Sequence, residues 1–528
     1  MNSTVSSSTT SASVTHFPLF MFPSTALLVV LALSISFISL SIYRIFFSPL
    51  AALPGPWYAA ISDLWITTHV VRLQQCSTIQ SLFERYGPVV RIGPNKVAFC
   101  DATSMRSVYC VHKFDKSNYY KSLLTNNNDH AMTTLPNAQY VVRRKAYAPH
   151  YNTPHLALFQ PEIHDTTNKL MDILGRIAGK TSVDCLDLLR HFMVDVLAQT
   201  NFGSVPGALD KWAMNSKDHL SVAVYDFPKR GVLRSAVPAW AWGLISKFPN
   251  ARFRQVCDSD SIMAEFVSSK LYDMRAKMQT SKYTGDSDSE NCHSWSVYFN
   301  IAYSQVTMSC RIKISFRNAW VTCVDTTSTT ISYFLWELSR RPDIVAKLQA
   351  EIDEVMPEKK GIPDLNILSR LPYLNAFIKE ALRLYGAAPS LLERVVPSRA
   401  SSSISQGDED FDLMGYALPP GTVVSTQAWS MHRDAEIFPS PETFLPERWL
   451  AIDASEREEE RLMRQDDTTI NAIWSWNTSV RRSESGTNHP QSSRELGRPQ
   501  LQYFRQSIRD KRKNDGDSRR ICQYKLGS

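Results

Sequence analysis

Three sets of residues in this chain have types and spacings that could do chemistry. Glu380 and Arg383, in Glu380-Ala381-Leu382-Arg383, stand three apart in a stretch with helical spacing, so their side chains share one face and can pair. Taken alone, such a spacing is most often a solvated surface pair. Asp325 and Thr326 adjoin each other in Val324-Asp325-Thr326-Thr327-Ser328. A carboxyl beside a hydroxyl can hand protons to a bound group, or can simply cap the start of a helix. The nine cysteines (76, 100, 110, 185, 257, 292, 310, 323 and 522) are odd in number, scattered, and contain no C-x-x-C pair. They indicate neither a zinc site nor a secreted disulfide framework, so any chemistry they do is done singly.

The elements that must carry these residues are mostly helical. Leu374, Phe377, Ile378, Ala381 and Leu382 recur at helical spacing, as do Ile344, Val345, Leu348, Ile352 and Val355 with charges on the opposite face. Tyr86 to Phe99 reads as a β-hairpin, two β-rich runs around a Gly93-Pro94-Asn95 turn. From Asn137 to about Met278 helical patterns dominate, with loops expected near Asn201–Pro206 and Asp226–Val237. Cys292–Phe316 reads as poorly helical. At the other end, Leu19 to Tyr43 holds no charged residue, long enough for a helix to cross a bilayer and too long for a cleaved signal peptide. Arg44 follows at once, which favours a cytosolic body and a lumenal N-terminus, with Asn2-Ser3-Thr4 as a glycosylation acceptor. Leu53-Pro54-Gly55-Pro56-Trp57 then makes a stiff, non-helical elbow. The expected organisation is a lumenal segment (1–18), an anchor (19–43), a proline-rich hinge (44–57), a body (58–466) and a basic tail (467–528).

Composition sets the class. The 528 residues are 43% hydrophobic and 21% charged, which fits one large or two medium globular domains and excludes a disordered or collagenous protein. The formal net charge of +7 does not mark a nucleic-acid binder. From Asn477 onward there are 12 Lys/Arg against 5 Asp/Glu, so the tail alone carries the excess of 12 − 5 = 7 and the body is neutral.

Taken in order, the Pro-Gly-Pro elbow, the Tyr86-Gly87-Pro88 hairpin, the Arg-rich early helix, the Asp325-Thr326 segment, Glu380-x-x-Arg383 and Pro446-Glu447-Arg448-Trp449 resemble the cytochrome P450 monooxygenases, specifically the membrane-anchored fungal type. The resemblance runs from the anchor to about Asp466 and implies a mainly α fold with a small β portion. It implies a haem cofactor, NADPH electrons delivered through a separate reductase, and an apolar small-molecule substrate. Residue by residue, it implies a structural core of Glu380, Arg383 and Arg448 beside the haem, since a carboxylate between two guanidiniums is tolerable in a core only as a hydrogen-bonded network. Asp325 and Thr326 match the pair that delivers protons to bound dioxygen. Arg144, in Tyr140-x-x-x-Arg144, and Arg394 match the cations that neutralise the haem propionates. The chain departs from the family pattern in having Tyr140 for Trp or His, Cys323 for Gly, and Glu393 for Pro. The unusual Cys292–Phe316 stretch fits retained intron sequence or a genuine insertion.

The largest departure is the axial ligand. The family requires a Cys in a Phe-Gly-x-Gly-x-Arg-x-Cys-x-Gly loop some thirty residues past the Pro-Glu-Arg-Trp segment, and a thiolate there helps to break the dioxygen O–O bond. No such loop is present. Cys522 has only six residues after it, too few for the helix that should follow. Reading the codons for Ile473–Thr487 one nucleotide later changes this. Trp has the single codon TGG, so with AGY for Ser475 both Trp474 and Trp476 become Gly, and Phe-Gly-Val-Gly-Thr-Arg-Val-Cys-Val-Gly is permitted. A one-nucleotide shift between about Asp466 and Ile473 accounts for both the missing loop and the basic, low-apolar tail, which reads as disordered. The expected function is a monooxygenase of fungal secondary metabolism, and the alternative is that the chain as written is a non-catalytic, haem-deficient product.

Overall fold

The helical spacing at Leu374–Leu382 becomes a helix over Pro372–Tyr385 that buries Tyr373, Phe377, Ala381 and Leu384 on one side. These pack with Ile344 and Leu348 of the neighbouring helix and with Phe444 ahead of the Pro446–Trp449 turn. The computed structural model describes residues 23–450 apart from 125–128, 130, 148–155, 179, 181, 217, 285–308, 357–360 and 399–410. The chain divides into two units, Met1–Val480 and Arg481–Ser528, and every described residue lies in the first.

The principal helices are α1 (Pro23–Ile42), α2 (Gln75–Tyr86), α3 (Asn137–Tyr147), α4 (Gln160–Ile177), α5 (Cys185–Phe202), α6 (Ala208–Ala213), α7 (His219–Ala236), α8 (Ala251–Thr284), α9 (Ser309–Arg340), α10 (Pro342–Val355) and α11 (Pro372–Tyr385). Their largest core surrounds α5, where Leu188, Leu189, Phe192 and Val196 meet Leu209 of α6, Leu220 and Val224 of α7, Met263 of α8 and Val324 of α9. Asp184 caps α5 by accepting the Leu186 and Asp187 N–H groups, and Gly203 ends it in the left-handed conformation.

The small β portion is one mixed sheet and a separate hairpin. Strands β1 (Val89–Gly93), β2 (Lys96–Phe99), β3 (Asp115–Lys116), β4 (Arg394–Val395) and β7 (Val423–Ser425) lie in the order β1-β2-β7-β4-β3. Strands β5 (Phe411–Leu413) and β6 (Tyr416–Leu418) pair on their own. In the sheet β1–β2, β7–β4 and β4–β3 run antiparallel, while β2 and β7 run parallel. The β3–β4 register sets Lys116 directly opposite Arg394.

Two readings of the sequence are corrected here. Asp226–Val237 is not a loop: α7 runs through Pro228 to Ala236. Proline costs that helix one backbone hydrogen bond, but the buried Asp226, Arg230 and Gly231 make packing against α8 decide the conformation. Likewise Ser309–Phe316, read as poorly helical, forms the start of α9, because β-branched residues lower helix propensity only slightly. The remainder of that stretch, the basic tail, Cys522 and the Asn2 acceptor lie outside the described residues.

Candidate active site

Glu380 and Arg383 are fully buried, 0% and 1% exposed, on the inner face of α11. Arg383 Nε donates to Glu380 Oε2 at 2.9 Å and Nη2 to Oε1 at 2.8 Å, a bidentate pair. Arg448 Nε donates to Oε1 at 3.0 Å, Trp449 Nε1 to Oε2 at 2.9 Å and the Leu445 N–H to Oε1 at 2.9 Å. Arg383 Nη1 goes on to the carbonyls of His432 (2.6 Å) and Pro441 (2.8 Å). Burial pushes the Glu380 carboxyl up, but the Arg383 and Leu445 hydrogen bonds and the two guanidinium charges outweigh it and hold it below the usual glutamate range. Beneath this knot sits His432, whose Nδ1 meets the Arg383 carbonyl at 3.0 Å and whose Nε2 is buried without a partner among the described residues. Burial, with the Arg383 and Arg433 charges, drives it down to about 4, so it is neutral.

A second cluster gathers where β3 meets β4. Lys116 and Arg394, both buried, face each other across the two strands. The Lys116 ammonium donates to the carbonyls of Ala131 (2.8 Å) and Met132 (3.2 Å) and lies 4.1 Å over the Tyr140 ring of α3. One turn on, Arg144 donates to the Tyr140 hydroxyl at 3.0 Å. Arg394 donates to the Tyr120 hydroxyl at 3.1 Å and lies 4.8 Å over the Tyr109 ring. Burial, then Arg394 and Arg144, lower the Lys116 ammonium from 10.5 to about 7. Beside it, Ser117 donates to Glu393, the residue that replaces the expected Pro, and Glu393 also stands 3.6 Å from Lys96.

The third group lies on α9. Asp325 is in the middle of that helix, not at its start, so a capping role is excluded. Arg190 of α5 grips its Oδ1 from Nε (3.0 Å) and Nη2 (2.9 Å), and the same guanidinium stacks 4.4 Å over Tyr225 of α7. Around it Ser328, Thr330 and Ser332 hydroxyls bond back to carbonyls one turn earlier, the Thr330 hydroxyl to Thr326 O at 2.9 Å.

Thus Glu380, Arg383 and Arg448 meet in one network; Tyr140, Arg144 and Arg394 come together around Lys116; Asp325 and Thr326 remain a separate pair on α9. Sequence reasoning missed Lys116 and Arg190. Lys116 sits in a two-residue strand with no periodicity, and Arg190 reaches a partner 135 residues away.

A buried glutamate knot, a cation cluster at a sheet edge and an acid–alcohol pair on a long helix thus share one mainly helical body. The family model for cytochrome P450 matches residues 53–463, and the chain belongs to that family. It is similar to cytochrome P450 monooxygenase orf2 of Aspergillus niger, with 29% identity covering 80% of this chain and 81% of the relative. It is also similar to tryprostatin B 6-hydroxylase of Aspergillus fumigatus (25%, covering 78% and 69%) and cytochrome P450 monooxygenase stcB of Emericella nidulans (25%, covering 78% and 76%).

The family implies haem, and the residues fit it at one end. Lys116, lowered first by burial and then by the Arg394 and Arg144 charges, forms with those two arginines a cradle that suits a pair of carboxylates, the chemistry of the propionate edge. At the iron the fit fails among the described residues. Cys76, Cys100, Cys110, Cys185, Cys257 and Cys323 all precede the Pro446–Trp449 turn, whereas the family's ligand loop follows it. Cys323 also lies two residues before Asp325, on the helix that carries the acid–alcohol pair.

Proposed function

We propose that this gene specifies a membrane-anchored haem-thiolate monooxygenase that oxidises an apolar small molecule in fungal secondary metabolism, and that the chain as written is its haem-deficient form. The observation that carries the first half is the Lys116–Arg144–Arg394 cradle. The absent cysteine loop carries the second.

In the frame-restored protein, Lys116, Arg144 and Arg394, with the Tyr120 and Tyr140 hydroxyls, would hold the haem propionates. Bound haem would supply dioxygen activation, with electrons from NADPH through a separate reductase. The chain's own residues do the proton work. The Thr326 hydroxyl orients a water, and the Asp325 carboxyl takes protons from solvent and passes them inward. Arg190 holds that carboxyl by one oxygen, Oδ1, which leaves Oδ2 as the atom able to carry the proton. The Glu380 knot holds α11 to the Pro446–Trp449 turn, the ground on which the ligand loop would stand.

Helix α1 supports the membrane-anchored part of this reading. The stretch Leu27–Phe47 is long and apolar enough to cross a bilayer, and Leu27, Leu33 and Phe37 are largely exposed. In the same proposal the anchor is single-pass in the endoplasmic reticulum, and Arg44 just after it favours a cytosolic body.

Two measurements test the proposal. Sequencing the transcript from the codon of Asp466 to that of Gly486 is expected to reveal the shifted nucleotide or an intron boundary. Expressed side by side, the frame-restored protein is expected to bind haem and give the thiolate-type ferrous–carbon monoxide spectrum, and the chain as written is expected to give none. A thiolate spectrum from the chain as written would sink the haem-deficient reading. A restored chain that takes up no haem would sink the monooxygenase reading.

A further inference from the structure

The cation cradle is assembled from very short pieces. Strands β3 and β4 are two residues each, and two ladder positions are all that set Lys116 opposite Arg394. A ladder that short specifies register weakly by itself. Glu393, the residue before Arg394, adds what the ladder lacks. Its carboxylate is 12% exposed and reaches in two directions. Oε2 accepts the hydroxyl of Ser117, the residue after Lys116. Oε1 stands 3.6 Å from the ammonium of Lys96 on β2, which is also 3.4 Å from Asp63. Burial pulls the Lys96 pKa down, but the Glu393 and Asp63 carboxylates outweigh it and raise it, so the ammonium stays charged beside Glu393. In the strand order β1-β2-β7-β4-β3, one carboxylate therefore ties β4 to β3 on one side and, past β7, to β2 on the other.

The Ser117 contact closes a ring. Ser117 Oγ also accepts the Tyr119 N–H at 3.1 Å, which caps the 3₁₀ turn Asn118–Leu123 that carries Tyr120. The Tyr120 hydroxyl accepts from Arg394 Nη1 at 3.1 Å, and the same nitrogen donates to Glu393 O at 2.9 Å. Each cation of the facing pair thus adjoins a residue that the ring holds: Lys116 precedes Ser117, and Arg394 follows Glu393. A proline at 393, the family pattern, would supply neither the acceptor nor the charge.

We infer that Glu393 is a positioning residue of the cradle: through Ser117 and Lys96 it holds Lys116 and Arg394 at the spacing that receives two carboxylates of a haem. The inference rests on the proposal that this cradle takes the propionates. Glu393 acts through its neighbours, and its own charge is paired with Lys96.

The test titrates haem, and separately haem dimethyl ester, which lacks the free carboxylates, into the haem-free, frame-restored full chain, and follows the Soret band. The parent protein is expected to bind haem more tightly than the ester. Glu393→Ala should weaken haem binding by about tenfold and leave ester binding unchanged, a difference that a merely structural role would not produce. Ser117→Ala removes one hydroxyl and should weaken haem in the same sense, so it answers the question even if the first variant does not fold. The double variant should bind haem no more weakly than Glu393→Ala, because both changes cut one ring. Glu393→Gln keeps an acceptor for Ser117 and should recover part of the loss. Equal loss of haem and ester binding in the alanine variants, or no loss of haem binding in either, would overturn the inference while leaving the cradle in place. A parent protein that binds haem and its ester equally would overturn the cradle and the inference together.

Discussion

Two buried charge clusters lie in this body, and they are built in opposite ways. In the knot, one carboxylate, Glu380, is gripped by Arg383 and Arg448, and the hydrogen-bonding capacity of all three is taken up locally. In the cradle, a lysine meets an arginine across a two-strand register, with a second arginine one helix away, and after burial the Arg394 and Arg144 charges both lower the Lys116 ammonium. A closed network of opposite charges holds a fold together. Cations gathered by separate parts of the fold suit the propionate site proposed for them. Buried charge is therefore no single kind of stabiliser, and the sign of its pairing tells structure from site.

The comparison breaks most visibly at the knot. Glu380→Ala leaves two guanidiniums buried without their carboxylate and should cost about 3–5 kcal/mol, enough to abolish soluble expression or to shift the urea midpoint strongly. The cradle should respond with the opposite sign. Lys116→Met removes a desolvated cation facing Arg394, so the haem-free body should gain about 1 kcal/mol in urea unfolding while the frame-restored protein loses haem affinity. A loss of stability in that variant would mean that Lys116 belongs to the structure and not to a site.

Acidity separates the two clusters in pH. The Lys116 pKa is about 7 in the fold and 10.5 as its ordinary value, so across that window the unfolded chain binds the extra proton. Stability of the haem-free body should rise with pH from about 7 to 10.5, and Lys116→Met should remove that slope. His432, lowered from 6.5 to about 4, acts in an acid window. There stability should fall as pH drops from 6.5 toward 4, and the Lys116→Met substitution should not touch it. The smallest effect is expected at the single ion pair between the two extremes. Arg190→Gln should change stability by no more than about 1 kcal/mol, because both partners keep some solvent. In the frame-restored enzyme the same change should alter the solvent isotope effect on product formation, which checks whether the freed Asp325 carboxyl moves protons differently.

How far the sequence reached follows the same division. The pairing of Glu380 and Arg383 was legible because a helical period surrounds them and their spacing is local, but their burial was legible only through the family resemblance. Arg448 became legible only through its order relative to the other motifs. The hairpin was marked by its Gly-Pro-Asn turn, and it forms as β1 and β2. Lys116 was invisible because its partners come from a loop, a helix and a strand far along the chain, and a two-residue strand has no pattern to read. The misread stretch at Asp226–Val237 shows the reverse error: Pro228 is a strong local signal, and tertiary packing along α7 overrode it.

The sheet also has a consequence in time. Strand β2 finds its parallel partner β7 only when Val423 exists, and Val423 follows Phe99 by 423 − 99 = 324 residues. At common rates of synthesis that interval is roughly half a minute. During it the β1–β2 hairpin stands with an open edge, so a newborn chain must wait, half-built, for β7, the last strand among the described residues. Chaperones that shield such an edge would matter more for this protein than for one whose strands pair with their neighbours in sequence.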